Sequence, residues 1–68
     1  MTDQEQITQI DAALAVLNPM WIAKRSAAVG HTRGMFQEMR ADIINGNKTK
    51  RHDIDFAETM AFFHTIAA

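Results

Sequence analysis

The sequence predicts a single all-α domain over residues 1–68, and three observations support that prediction. Apolar residues make up 47% of the chain, and they recur at steps of three and four positions rather than alternating with polar residues. Alanine, the strongest helix former, is abundant. There is no cysteine to form a disulfide, and a chain this short buries only about 60% of its unfolded surface. We therefore expect a compact bundle of about four helices, with a helix-turn-helix as one option, stabilised as a homodimer.

The first predicted helix spans residues 3–17. Thr2 and Glu5 have the spacing of a capping box, in which each side chain accepts a hydrogen bond from the other residue's backbone N–H. The apolar residues of this segment recur at helical spacing, so they share one face; they are Ile7, Ile10, Leu14 and Leu17.

A second predicted helix begins at Asn18-Pro19, a pair typical of an N-cap followed by the first helical residue. Trp21 is the expected core anchor of this helix. Gly30 and Gly34 follow, and each costs about 1 kcal/mol relative to alanine inside a helix. Two such costs four residues apart need a reason, so either the backbone turns here or another element packs closely against it.

Helical spacing is clear again from residue 33, where Phe36, Met39 and Ile43 share one face. Residues 45–47, with the sequence Asn-Gly-Asn, are expected to end this helix because both residue types tolerate the left-handed conformation of a C-terminal cap. Residues 48–52 form an expected exposed basic loop.

The last predicted helix begins near Asp53 or Asp55, where acidic side chains suit the helix dipole. Its apolar stripe consists of Phe56, Met60, Phe63 and Ala67. Other apolar residues of this segment lie off that stripe, so the apolar arc is wide, and this also favours a dimer.

In one interpretation, residues 19–29 and the helix that begins at Arg33 form a helix-turn-helix with its turn at residues 30–32. Gly30 then supplies a positive φ angle at the turn, and Thr32 caps the second helix. Arg33, Gln37 and Arg40 lie on its outer face, with side chains suited to reading bases in the major groove of DNA. Four further side chains are expected to hold the phosphate backbone: Thr32, Lys48, Lys50 and Arg51.

This arrangement resembles the small helix-turn-helix domains of lambdoid phage repressors and Cro-like proteins. The similarity runs from Ile22 to about Phe63. It includes the Val29-Gly30 pair, the polar turn at Thr32, and the Asn-Gly closure followed by a basic stretch at residues 48–51. The resemblance implies a small DNA-binding regulator of transcription.

In the alternative interpretation, residues 19–44 form one continuous helix, about 39 Å long at 1.5 Å per residue. Small residues at helical spacing then line a seam that lets another helix approach closely: Ala23, Ala27, Gly30 and Gly34. The protein would be a helical protein-binding module, such as an adaptor, inhibitor or assembly factor, acting as a homodimer on a larger protein.

Catalysis is not predicted, and neither is a metal or other cofactor. His31, His52 and His64 share no helical spacing and have no cysteine to support them as zinc ligands. There is no glycine-rich phosphate loop, and so small a domain has little volume for a substrate pocket. No apolar run reaches the length of a membrane span, and the start of the chain is acidic. We expect a cytoplasmic protein whose partner is DNA or a larger protein.

Overall fold

The computed structural model describes all 68 residues and contains three α-helices and no strand. Helix α1 spans Asp3–Ala23, α2 spans Ala27–Asn45 and α3 spans His52–Ile66. The all-α prediction is confirmed, whereas the fourth helix is absent: of the second predicted helix, residues 19–23 belong to α1 and residues 27–29 belong to α2. Helix α2 is central and packs against both α1 and α3, in a molecule that measures 33 × 18 × 18 Å.

Helix α1 begins as the sequence predicts and ends later. The capping box of Thr2 and Glu5 is present, with both reciprocal hydrogen bonds formed. The predicted boundary at Asn18-Pro19 is wrong, because Pro19 lies inside the helix. Proline removes one backbone donor, yet the helix continues for one more turn and ends where Lys24 N–H donates to Met20 O at 2.9 Å.

The chain turns at residues 24–26, so both interpretations of the central segment need correction. The predicted turn at residues 30–32 is wrong, because α2 runs without interruption through Gly30 and Gly34. The predicted single helix over residues 19–44 is also wrong, because the break precedes Ala27. Ser26 caps α2 by accepting a hydrogen bond from Val29 N–H at 3.1 Å, a role that the sequence analysis assigned to Thr32.

Gly30 lies inside a helix because another element packs closely against it. A β carbon at this position would lie 2.5 Å from Cζ3 and 2.9 Å from Cη2 of Trp21. The half-buried indole thus occupies the space that an alanine side chain would need, and it joins the end of α1 to the start of α2. The guanidinium of Arg25 lies 5.2 Å from the centre of the indole ring and adds a cation–π contact.

The end of α2 agrees with the sequence analysis. Gly46 has φ 71° and its N–H bonds back to the last turn of the helix, as expected for a left-handed cap. The start of α3 differs, because the helix already begins at His52, which is buried rather than part of an exposed loop.

The core consists of one stripe from each helix, centred on Phe36, which has no exposed surface. Phe36 meets Phe63 edge to face, with ring centres 6.0 Å apart. The buried apolar side chains are Ile10, Ala13, Leu17, Val29, Phe36, Met39, Ile43, Phe56 and Phe63. None of the three helices combines the length and the hydropathy that a bilayer-spanning segment requires.

Candidate functional site

The predicted base-reading residues lie on α2, and two of the three bond to α1. Arg33 Nε donates to Asn18 Oδ1 at 2.6 Å, and Arg40 Nε donates to Asp11 Oδ1 at 2.7 Å. That hydrogen bond and the negative charge of Asp11 raise the pKa of Arg40 above its ordinary value. Gln37 is exposed. The two arginines therefore stabilise the contact between α1 and α2 in this structure.

Three of the four predicted phosphate ligands are also engaged within the chain. Lys48 Nζ lies 2.7 Å from Asp3 Oδ1, and this hydrogen bond raises the pKa of the lysine. Arg51 lies 3.5 Å from Asp55. Thr32 is buried within α2, where its hydroxyl donates to Ala28 O at 2.8 Å, so it does not cap a helix. The fourth ligand, Lys50, is exposed.

The residues of the alternative helix-pairing seam do not form one surface. Ala23 ends α1 whereas Ala27 begins α2. Gly30 is covered in part by Trp21, and only Gly34 has open space where a side chain would lie.

The three histidines lie in different surroundings. His52 Nε2 is 2.8 Å from Gln6 Oε1, and Gln6 Nε2 donates to Asp53 Oδ1 at 3.1 Å. This buried network joins the start of α1 to the start of α3. His64 packs against Phe63 at the other end of α3, and His31 is exposed. No group of three or more histidine, aspartate or glutamate side chains is placed to hold a metal ion.

An open groove runs between α2 and α3, with a volume of about 310 Å³ at its wider part. Met35 from α2 and Phe62 from α3 are its apolar lining, and Phe62 remains 45% exposed. A second depression of about 180 Å³ continues from it toward the α2–α3 loop, and the two share Met35 and Asp55. The groove is therefore one continuous surface with two large apolar side chains at its wide end.

Carboxylates flank this groove on both sides. Glu38 and Asp42 lie one turn apart on α2, and Asp55 and Glu58 lie three residues apart on α3. The guanidinium of Arg51 lies 3.5 Å from Asp55 and 3.9 Å from Glu58. No basic side chain lies within 4.0 Å of Glu38 or Asp42, so the α2 side of the groove carries uncompensated negative charge.

The charges of α2 are thus divided between its two flanks. Arg33 and Arg40 face α1, whereas Glu38 and Asp42 border the groove with α3. The basic flank is among the predicted site residues, whereas the acidic flank is not. The signal was present in the spacing, since His31, Met35, Glu38 and Asp42 follow steps of four, three and four and so share one helix face.

A comparison of the chain with protein-family models, curated proteins and solved structures found no match in any of the three. The resemblance to phage helix-turn-helix domains therefore rests on the sequence pattern alone.

Proposed function

We propose that this chain is a non-enzymatic, helical protein-binding module that docks a partner protein in the groove between α2 and α3. The observation that carries this proposal is the pair formed by Met35 and Phe62, two large apolar side chains that line an open groove. Apolar side chains in a groove between helices are the usual anchor sites for a partner helix. Covering them with a partner removes apolar surface from water, which favours association.

The proposal of DNA reading by Arg33, Gln37 and Arg40 has less support. A base-reading arginine presents two of its N–H donors to guanine, whereas Nε–H of Arg33 and of Arg40 is directed at α1. Reading guanine through Nε–H would require these contacts to break.

Site-specific photo-crosslinking tests the proposal. A photo-reactive amino acid replaces Phe62 in the groove, or Thr65 in a matched control on the exposed surface of α3. We expect position 62 to crosslink to one defined protein in the cells that produce the chain, and position 65 not to. Crosslinking that is absent at 62, or equal at both positions, would contradict the proposal.

A titration of the purified protein against duplex DNA at two salt concentrations tests the competing proposal. Tight binding that weakens steeply with salt would favour DNA, because basic side chains on phosphates release counterions. We expect no binding beyond weak, sequence-independent association.

A further inference from the structure

The partner that fits the α2–α3 groove is, we infer, a positively charged amphipathic helix of another protein. This inference rests on the proposed function and names the chemistry of the partner. Three features of the groove support it: its negative charge, its length, and the charge repulsion that a two-fold dimer of grooves would create.

Charge complementarity predicts that the partner is positively charged. Four carboxylates flank the groove, and only Arg51 opposes them. Glu38 and Asp42 have no ionic partner within the chain, so lysine or arginine side chains of a bound helix would meet them directly. Complementary charges of this kind speed encounter and exclude wrongly charged partners more than they add raw affinity.

The length of the groove sets the size of the bound segment. From His31 to Asp42 the groove follows eleven residue steps of α2, which is about 16 Å at 1.5 Å per residue. A partner helix of about three turns covers that distance. Its apolar residues at helical spacing would reach Met35 and Phe62, while basic residues on either side would reach the carboxylates.

A second copy of this chain is disfavoured as a groove-to-groove, two-fold partner. Such a dimer places the same patch of both copies face to face, so the carboxylates of one groove would meet those of the other. Like charges juxtaposed across an interface oppose association. A two-fold homodimer would therefore use a different surface.

The test uses the full-length protein labelled with 15N and a synthetic helical peptide of about fifteen residues made of leucine, lysine and alanine, with the leucines on one face. A control peptide carries glutamate in place of every lysine. We expect the lysine peptide to shift backbone resonances around Met35 and Phe62, and the glutamate peptide to leave them unchanged. Equal binding of both peptides, or no binding of the lysine peptide, would overturn the inference.

A pair of charge variants makes the test specific to the groove. Glu38→Gln with Asp42→Asn raises the net charge by two at the groove, whereas Gln37→Lys with Ala41→Lys raises it by two at neighbouring exposed positions of α2 outside the groove lining. We expect the groove substitutions to weaken binding of the lysine peptide about threefold to tenfold more than the control substitutions do, which is the effect of losing two exposed ion pairs. Equal effects of the two pairs would mean that only net charge matters, which would overturn a defined groove site.

Phe62→Ser tests the apolar contact in a side chain that is already half exposed. We expect this substitution to weaken binding of the lysine peptide at least as much as the combined Glu38→Gln and Asp42→Asn substitutions do. If position 62 crosslinks to a cellular protein but the lysine peptide does not bind, the proposed function stands and the basic partner is wrong. If neither occurs, both fail. Resonances at the groove that depend on protein concentration without peptide would instead indicate a second copy.

Discussion

The indole ring of Trp21 packs so closely against Gly30 that no space remains for a methyl group at this position. This contact joins the end of α1 to the start of α2 across the short turn at residues 24–26. It accounts for a glycine in a helix interior, where the residue is otherwise unfavourable.

The two glycines of α2 are expected to respond differently to alanine. Gly34→Ala meets no atom within 4 Å, so it should raise the free energy of unfolding by about 1 kcal/mol through helix propensity. Gly30→Ala gains the same propensity but displaces the indole of Trp21, and overpacking costs about 1–3 kcal/mol. The free energies of unfolding of the two variants, measured by urea denaturation, should therefore differ by at least about 1 kcal/mol.

A double-mutant cycle isolates the cause of that difference. In a Trp21→Ala background the clash is gone, so Gly30→Ala should become as favourable as Gly34→Ala. A cost for Gly30→Ala that persists without the indole would show that Trp21 is not the reason for the glycine.

Pro19 is expected to reduce the stability of the last part of α1. It is exposed and lies inside the helix, so Pro19→Ala restores a backbone donor without removing core contacts. We expect the free energy of unfolding to rise by about 1–3 kcal/mol, measured by urea denaturation. An unchanged or lower value would contradict this prediction.

The buried network at the start of α1 and α3 should be costly to break. Gln6→Ala removes the partner of His52 and one partner of Asp53, and an unsatisfied buried polar group costs about 1–3 kcal/mol. Gln9→Ala, in an exposed position of the same helix, is the matched control and should change stability little. Amide exchange in the first turns of α3 should accelerate in the Gln6 variant only.

The capping box predicts a pH dependence of stability. A hydrogen bond from the backbone of Thr2 lowers the pKa of the Glu5 carboxyl below its ordinary value of 4.5, and the side chain of Thr2 contributes a smaller effect in the same direction. A lowered folded-state pKa means that the ionised form stabilises the fold at neutral pH, and that this contribution is lost as pH falls below 4.5 through the folded pKa. Glu5→Gln keeps a capping acceptor, so its stability should fall less steeply over that pH range in thermal melts.

Local signals predicted two helix ends, the start of α1 and the end of α2, and missed the turn between these helices. The capping box at Thr2 and the left-handed cap at Gly46 depend on residues within one turn, which the sequence displays directly. The boundary that Pro19 suggests locally is wrong, whereas Gly30 is compatible with a turn or with close packing, and close packing is what the structure shows. What decides Gly30 is an indole nine positions earlier, brought close by packing.

The groove was harder to predict than the helices. Its acidic flanks come from two helices whose relative rotation is set by packing around Phe36, and periodicity does not give that rotation. The basic residues were visible as a group, but their partners Asp11 and Asn18 lie 29 and 15 positions away in the chain. The charges of α2 are therefore visible in the sequence, but their pairing within the fold is not.

Residue-resolved amide hydrogen exchange across α2 tests the central claim, that this helix runs unbroken past both glycines. Gly30 N–H bonds to Ser26 O at 3.0 Å, and the helix continues to Asn45. We expect slow exchange from about Thr32 to Met39, as for a helix that packs on both neighbours. Fast exchange at residues 30–33, with protection that begins only beyond Gly34, would contradict the account and restore a turn at the glycines.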